Sequence, residues 1–261
     1  MNQQPWALIL GASSGFGEAA AIELAGRGMN IFGVHLDLRE TLPRAREVQD
    51  KIRAQGREAV FCNVNAADDE KRGQTIARIR ETFDQTPGTV RVLLHSLAFG
   101  SLKPLVGAED VATRRQIEVT ADVMGHSLVY WVNDLVKNKL MVAGGRIYAM
   151  TSEGGGKAIP QYGPVSAAKA ILEAHIRQLA LELAPFGITA NAIMAGVTDT
   201  PALRKIPGHE KLVAFAQTRN PHGRLTTPED VARCLGVLCH ENTYWMTGNT
   251  IRVDGGEGSV A

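Results

Sequence analysis

Cysteine is scarce in this chain: three residues in 261, Cys62, Cys234 and Cys239. Their odd number and the absence of C-x-x-C or zinc-ligand spacing exclude a disulfide framework and a structural zinc site. Each sits in apolar sequence and reads as core packing, so a reduced, cytoplasmic setting is expected. The histidines show no metal-ligand spacing either, and no metal is expected. No apolar run reaches the roughly 18 residues that would suggest a membrane span. The opening "MNQQPWALILG" has no basic leader, and its short apolar run suits a buried first strand better than a signal peptide. Charge of one sign is also missing: Lys+Arg number 28 and Asp+Glu 27, a formal net charge of +1. That balance argues against a nucleic-acid or membrane-surface protein. No repeat, low-complexity tract or linker-like shift interrupts the chain, and one domain over 1–261 is expected.

What is present is an alternation. The short apolar runs "WALIL", "NIFGVH", "AVFC", "VRVLLH", "GRIYAM", "ITANAIM" and "TIRV" are separated by helical patterns. Strands that are apolar almost throughout imply a parallel sheet covered on both faces. Right-handed crossovers then give an α/β, Rossmann-like doubly wound sheet of about seven strands. In such a sheet, ligands bind beyond the carboxyl ends of the strands at the topological switch point.

Directly after the first strand comes "GASSGFG", which leads into an alanine-rich helix. Gly11 suits a tight turn, Gly15 a close backbone approach to a pyrophosphate, and Gly17 close packing of helix on strand. Ser13, Ser14 and Phe16 complete the loop, and the helix start offers free N–H groups to an anion.

From this loop almost to the C-terminus the chain resembles the short-chain dehydrogenase/reductase family. "TGNTIRVDGG" is similar to the family's closing strand and turn. "NAIMAGVTDTPA" is similar to its segment after strand six, although Ala195 stands where proline is usual. The resemblance implies that Gly196 and Val197 approach the nicotinamide, the Val197 backbone holding its carboxamide, and that Thr200 approaches the pyrophosphate. It also implies that Asn63 and Val64 contact adenine, that Ser96, Leu97, Ala98 and Thr151 line the cofactor, and that the enzyme is a homotetramer.

A carboxylate ending the second strand grips a ribose 2′-hydroxyl, and a basic group there favours a 2′-phosphate. His35 holds that position, with Asp37 and Arg39 following. Because the strand end itself lacks an acid, and His35 and Arg39 could both face a phosphate, NADPH is favoured over NADH.

"YGPVSAAK" places Lys169 seven positions after Tyr162. The same spacing recurs in "YWVNDLVK", from Tyr130 to Lys137, so spacing alone decides little. Position decides: Tyr162 follows the fifth strand and precedes a helix that Pro164 is suited to start, whereas Tyr130 lies within a helical run. None of the four tyrosines has a lysine four residues on, and Val165 occupies the place that tyrosine would fill. By the resemblance, Lys169 bonds the nicotinamide ribose and keeps a positive charge near the Tyr162 phenol. A nearby cation lowers a pKa by roughly 1–3 units, from about 10 for a phenol.

The longer spacing has a chemical reading. Ketone reduction puts hydride and proton on bonded atoms, whereas reduction of an α,β-unsaturated thioester puts hydride on Cβ and negative charge on an oxygen three bonds away. An acid set farther from the nicotinamide suits the second. Tyr-x6-Lys, "HSLAFG" and Met124, in place of a helix asparagine, together resemble the enoyl-acyl-carrier-protein reductases. "GASSGFG" and the run "DTPALRKIPGHEKLVAFAQTRNPHGRLTTPEDV" resemble their type III members. Ser152 falls where some members carry a second tyrosine. His95 reads as a hydrogen-bonded turn residue rather than a proton donor.

A lid over about 198–222 is expected to cover an acyl pocket, because this stretch lacks clean periodicity and lies beyond a strand end. Phe99, Ser152, Tyr162, Ala202 and Leu203 are the candidate substrate contacts. Arg204, Lys205 and Arg224 are candidates for docking an acidic acyl carrier protein. The sequence therefore predicts a 2-enoyl thioester reductase of fatty acid synthesis. The alternatives are a carbonyl reductase, 3-oxoacyl or hydroxysteroid dehydrogenase of the same family, and a dinucleotide-binding sensor without turnover.

Overall fold

All seven apolar runs become strands in the computed structural model, which describes residues 3–260. They are β1 (Gln4–Leu10), β2 (Asn30–His35), β3 (Ala59–Asn63), β4 (Gly88–His95), β5 (Arg146–Thr151), β6 (Thr189–Ala195) and β7 (Thr250–Val253). Residues 1, 2 and 261, counted in the expected domain, lie outside the described residues. The strands form one sheet in the order β3-β2-β1-β4-β5-β6-β7, with every pairing parallel. The chain runs outward from β1 in one direction, then restarts at β4 and runs the other way. The switch point therefore lies between β1 and β4, where the Ser96 N–H donates to Leu10 O at 2.8 Å.

Side-chain alternation sorts β1 onto two faces. Trp6, Leu8 and Leu10 join a core with Phe32, Leu93, Trp131 and Leu172, while Ala7 and Ile9 join another with Ile31, Leu94, Leu24 and Leu235. The second face is covered by α1 (Gly15–Gly26), α2 (Leu42–Arg53) and α8 (Pro228–Leu238). The first is covered by α3 (Asp69–Gln85), α5 (Ser127–Lys137) and α6 (Gly163–Leu183). Burial on both sides is why the strands carry no polar alternation.

Two segments depart from expectation. The run holding Tyr130 is not one helix: α4 (Arg114–Ala121) passes through a π turn at Asp122–His126 before α5 begins. The expected lid carries a regular helix, α7 (His209–Arg219), after a short 3₁₀ turn at Leu203–Lys205. Only Ala216 of α7 is buried, so the helix leaves little apolar period to read. "EKLVAFAQ" forms it from good intrinsic helix formers.

Candidate active site

The glycine loop crosses the switch point. Gly11 has φ +93°, and a side chain there would run into Ser96 O at the end of β4. A side chain on Gly17 would overlap Gly11 O. The loop is thus pinned between β4 and α1, with Ser14 extended at the helix N-cap and its hydroxyl making no cap bond. The N–H groups of the first turn are left to a ligand. Gly15 faces Thr200, with the threonine Cγ2 3.4 Å from where a glycine Cβ would stand. Thr200 therefore lies beside the loop. Phe16 packs into the core, leaving its backbone rather than its ring for a ligand.

At the end of β2 the structure corrects the role expected of His35. Its ring is buried, and Nδ1 lies 2.7 Å from Asp37 Oδ2. It is turned to the carboxylate and not outward to a phosphate. Burial tends to raise the Asp37 pKa, but hydrogen bonds from Ser13, Thr41 and His35 outweigh it and hold the carboxyl below its ordinary range. Asn63 is corrected too: its amide accepts the Asp37 N–H at 2.8 Å and donates to Asp37 O at 2.9 Å. Asn63 thus braces the loop after β2, with one N–H and one oxygen lone pair of its amide committed to Asp37. Arg39 is exposed nearby, and Val64 is half-buried.

Val197 requires a third correction. Its N–H donates to the buried carboxylate of Glu257, 3.1 Å from Oε2, so that amide is already engaged. Thr198 is the next residue; it is buried, and its hydroxyl donates to Gly196 O at 2.9 Å. Its own N–H has no protein acceptor among the described residues.

Tyr162 stands just ahead of α6, at the N-cap position, as Pro164 leads one to expect. Its hydroxyl is 3.5 Å from Ser152 Oγ, and Ser152 Oγ also accepts the Gly154 N–H at 3.0 Å. Burial pushes the phenol pKa up, with the Ser152 hydrogen bond only partly opposing it. The lysine does not lower it here. Lys169 is fully buried, and its Nζ donates to Met150 O at 2.7 Å; burial pulls its own pKa down to about 8, with Glu173 opposing. Glu173, one turn along α6, accepts from Thr151 Oγ1 at 2.6 Å. That spacing of four residues is a signal the sequence contained.

Val165 and Met124, at the two places where other members of the family carry tyrosine and asparagine, belong to one small apolar cluster. It also holds Val123 and Ala168, with Leu97, Leu102 and Tyr162 packed against it. Leu105, missed in the sequence, covers Gly163 beside Tyr162: its Cγ is 2.8 Å from where a Cβ would stand. Ala98 and Phe99 are exposed on the same loop and Ser96 is half-buried. Ala202 is exposed and Leu203 half-buried at the start of the expected lid.

Other expectations resolve locally. His95 is buried, its Nε2 2.9 Å from Ser127 Oγ. Because that hydroxyl donates to Val123 O at 2.7 Å, His95 is the donor through Nε2–H. Tyr130 donates to Asp122 at 3.0 Å and lies under the Arg72 guanidinium, a contact set internal to the chain. Arg204 is doubly bonded to Asp199 and Arg224 to Asp230, so two of the three docking cations already face acids. Cys62 is not simple core packing, since Arg78 Nη1 donates to its sulfur at 3.7 Å. Among the described residues no helix is long and apolar enough to cross a membrane.

A parallel sheet with a phosphate cradle at its switch point, and a tyrosine and lysine beyond β5, defines a dinucleotide-binding oxidoreductase. The chain belongs to the short-chain dehydrogenase/reductase family, and the family model described as "Enoyl-(Acyl carrier protein) reductase" matches residues 11–257. It is similar to an NADPH enoyl-[acyl-carrier-protein] reductase FabI of Staphylococcus aureus, at 31% identity over 67% of this chain and 68% of the relative. It is also similar to a trihydroxynaphthalene reductase of Pestalotiopsis fici, at 27% identity over 95% of this chain and 88% of the relative. Among solved structures, the Aquifex aeolicus enoyl-[acyl-carrier-protein] reductase (NADH) superposes with a TM-score of 0.84. Identity there is 25%, over 98% of this chain and 96% of the other.

Proposed function

We propose that this oxidoreductase reduces the carbon–carbon double bond of a 2-enoyl thioester, with NADH or NADPH as hydride donor. The observation that carries the reading is the apolar cluster around Val165 and Met124. Hydrocarbon fills the place where a carbonyl-reducing relative keeps its acid, and the phenol left to serve the substrate is Tyr162, at the N-cap of α6.

The pinned glycine loop and the open N–H groups of α1 fit a dinucleotide pyrophosphate, with Thr200 alongside. The free Thr198 amide suits the carboxamide better than the engaged one of Val197. The bound dinucleotide supplies hydride, which goes to substrate Cβ. As negative charge gathers on the thioester oxygen, the Tyr162 hydroxyl donates a hydrogen bond to it, and Ser152 orients that hydroxyl. Solvent water then protonates Cα of the enolate and completes the reduction. The raised phenol pKa suits this task, because the donor stays protonated at neutral pH. Lys169 retains two donors beyond its bond to Met150 O, which would hold a ribose hydroxyl.

Asp37 opposes a 2′-phosphate and Arg39 favours one, so the dinucleotide preference is set by their balance. Acyl carrier protein is the proposed carrier, with Lys205 as the lid cation left to meet it. A homotetramer in a reducing, cytoplasmic compartment completes the reading. Edge strand β7 lies near exposed Tyr244 and Trp245, and the three cysteines are free thiols; both features support it.

Carbonyl reduction is the second reading. It draws on the paired hydroxyls of Ser152 and Tyr162, which could hold a carbonyl oxygen, and on the likeness to the trihydroxynaphthalene reductase. The test offers a 2-enoyl and a 3-oxoacyl thioester in parallel and follows loss of the reduced nicotinamide absorbance. Turnover of the enoyl substrate is expected; turnover of the oxo substrate alone would overturn the first reading in favour of the second.

A further inference from the structure

Helix α7 half-buries Leu212 and Val213, but among the described residues its side-chain hydrogen bonds to other elements come from its carboxyl end. Its amino end follows Gly208, which has a left-handed backbone and makes no side-chain cap, and only Ala216 along it is buried. At its carboxyl end Arg219, with a side chain 12% exposed, makes three bonds. Nη1 and Nη2 donate to Glu153 at 3.3 and 3.4 Å, and Nε donates to Val260 O at 2.8 Å. Asn220, the next residue, is buried and donates to Asp254 O at 3.0 Å. Arg219 is thus the side chain that ties α7 to Glu153.

The other side of that ion pair is the catalytic loop. Glu153 directly follows Ser152, which lies beside the Tyr162 hydroxyl. Lys157 also bonds Glu153, at 2.6 Å, so removing Arg219 does not leave the carboxylate alone. What such a change removes is the link between α7 and the loop.

We propose that Arg219 is a positioning residue that, through Glu153, couples the seating of α7 over the acyl pocket to the orientation of Ser152 and hence of Tyr162. This rests on reading 198–222 as a lid in the enoyl reductase proposed above. The pair is partly shielded from solvent, so it is screened less than the exposed Arg204–Asp199 pair on the same segment.

Amide hydrogen exchange on the full chain tests the coupling without any substrate. Arg219→Gln is expected to raise exchange at residues 153–156 by roughly tenfold, and Glu153→Gln by a similar factor, as local opening of a tethered loop. Glu153→Gln also weakens the bonds of that carboxylate to Lys157 and Arg252, so the double variant should exchange no faster than Glu153→Gln alone. Arg219→Lys, which keeps the charge, should recover most of the protection and serves as a check on folding. In turnover, kcat for the enoyl thioester should fall about tenfold in Arg219→Gln, with the Kd for the reduced dinucleotide within about twofold of the parent. Unchanged exchange at 153–156 in Arg219→Gln, or additive effects in the double variant, would overturn the coupling. Exchange coupling in a protein that reduces only the 3-oxoacyl thioester would support the link and reject the enoyl reading, so the two failures are separable.

Discussion

The carboxylate of Glu257 accepts the main-chain N–H of Val197 at 3.1 Å, joining the last turn of the chain to the loop that follows β6. Its Oε2 also lies behind Gly196, 2.9 Å from where a Cβ would stand. A residue near the C-terminus thus holds the loop expected to meet the nicotinamide.

Removing that carboxylate leaves a half-buried N–H without its partner, which costs at most about 1–3 kcal/mol. Glu257→Ala should therefore lower the midpoint of thermal unfolding and raise KM for the reduced dinucleotide by roughly tenfold, with a smaller effect on kcat. Glu257→Gln keeps an acceptor and should lie near the parent. Dinucleotide titration by fluorescence checks it; equal behaviour of both variants and the parent would count against the role.

Tyr162→Phe should cut turnover by roughly 10²–10⁴-fold, the range for a positioned acid. Ser152→Ala removes only its orienting partner and should cost less. Parallel initial rates on the enoyl thioester decide the ranking, and a Tyr162→Phe variant with parental turnover would exclude the phenol from the chemistry.

The alkaline side of the pH–rate profile should belong to Lys169, not to Tyr162. The phenol is pushed up by burial, whereas Lys169 is brought down to about 8. Rates should fall as pH rises through about 8, when the lysine loses its proton. Lys169→Arg should move that limb to higher pH in whatever activity it retains.

Stability should fall on acidification because of His95. Burial brings its pKa down to about 3, with the Lys169 charge adding to the effect. The unfolded imidazole binds its proton near 6.5, so the folded state loses stability as pH falls from about 6.5 toward 3, at up to roughly 1.4 kcal/mol per pH unit. Denaturant unfolding at pH 7.5 and pH 5 measures the slope. His95→Gln, which can still donate to Ser127, should flatten it.

Asp37→Ala should shift the ratio of kcat/KM values toward NADPH, and Arg39→Ala toward NADH. The first loses a charge that repels a 2′-phosphate, and the second loses one that attracts it. Steady-state kinetics with both dinucleotides reads the two shifts; movement of either ratio the other way would remove that residue from the ribose site.

Much of the architecture was legible because it rests on local pattern. Seven strands buried on both faces read as apolar runs, and "GASSGFG" between a strand and an alanine-rich helix could hardly be placed elsewhere. Tyr162 separated from its decoy Tyr130 by position alone. Helix α7 was illegible for the converse reason: a helix that buries one residue leaves no period to find.

The sequence by itself determined the doubly wound fold class, the switch-point loop, and the exchange of tyrosine and asparagine for Val165 and Met124. Only the tertiary structure showed that those two substitutions share one apolar cluster, that His35 and Asn63 hold Asp37, and that Glu257 engages Val197. It alone set the protonation tendencies of Tyr162 and Lys169. Strand and loop identity follow from neighbours along the chain. Hydrogen-bond ownership and desolvation depend on which distant segments meet, such as the 60 positions separating Val197 from Glu257.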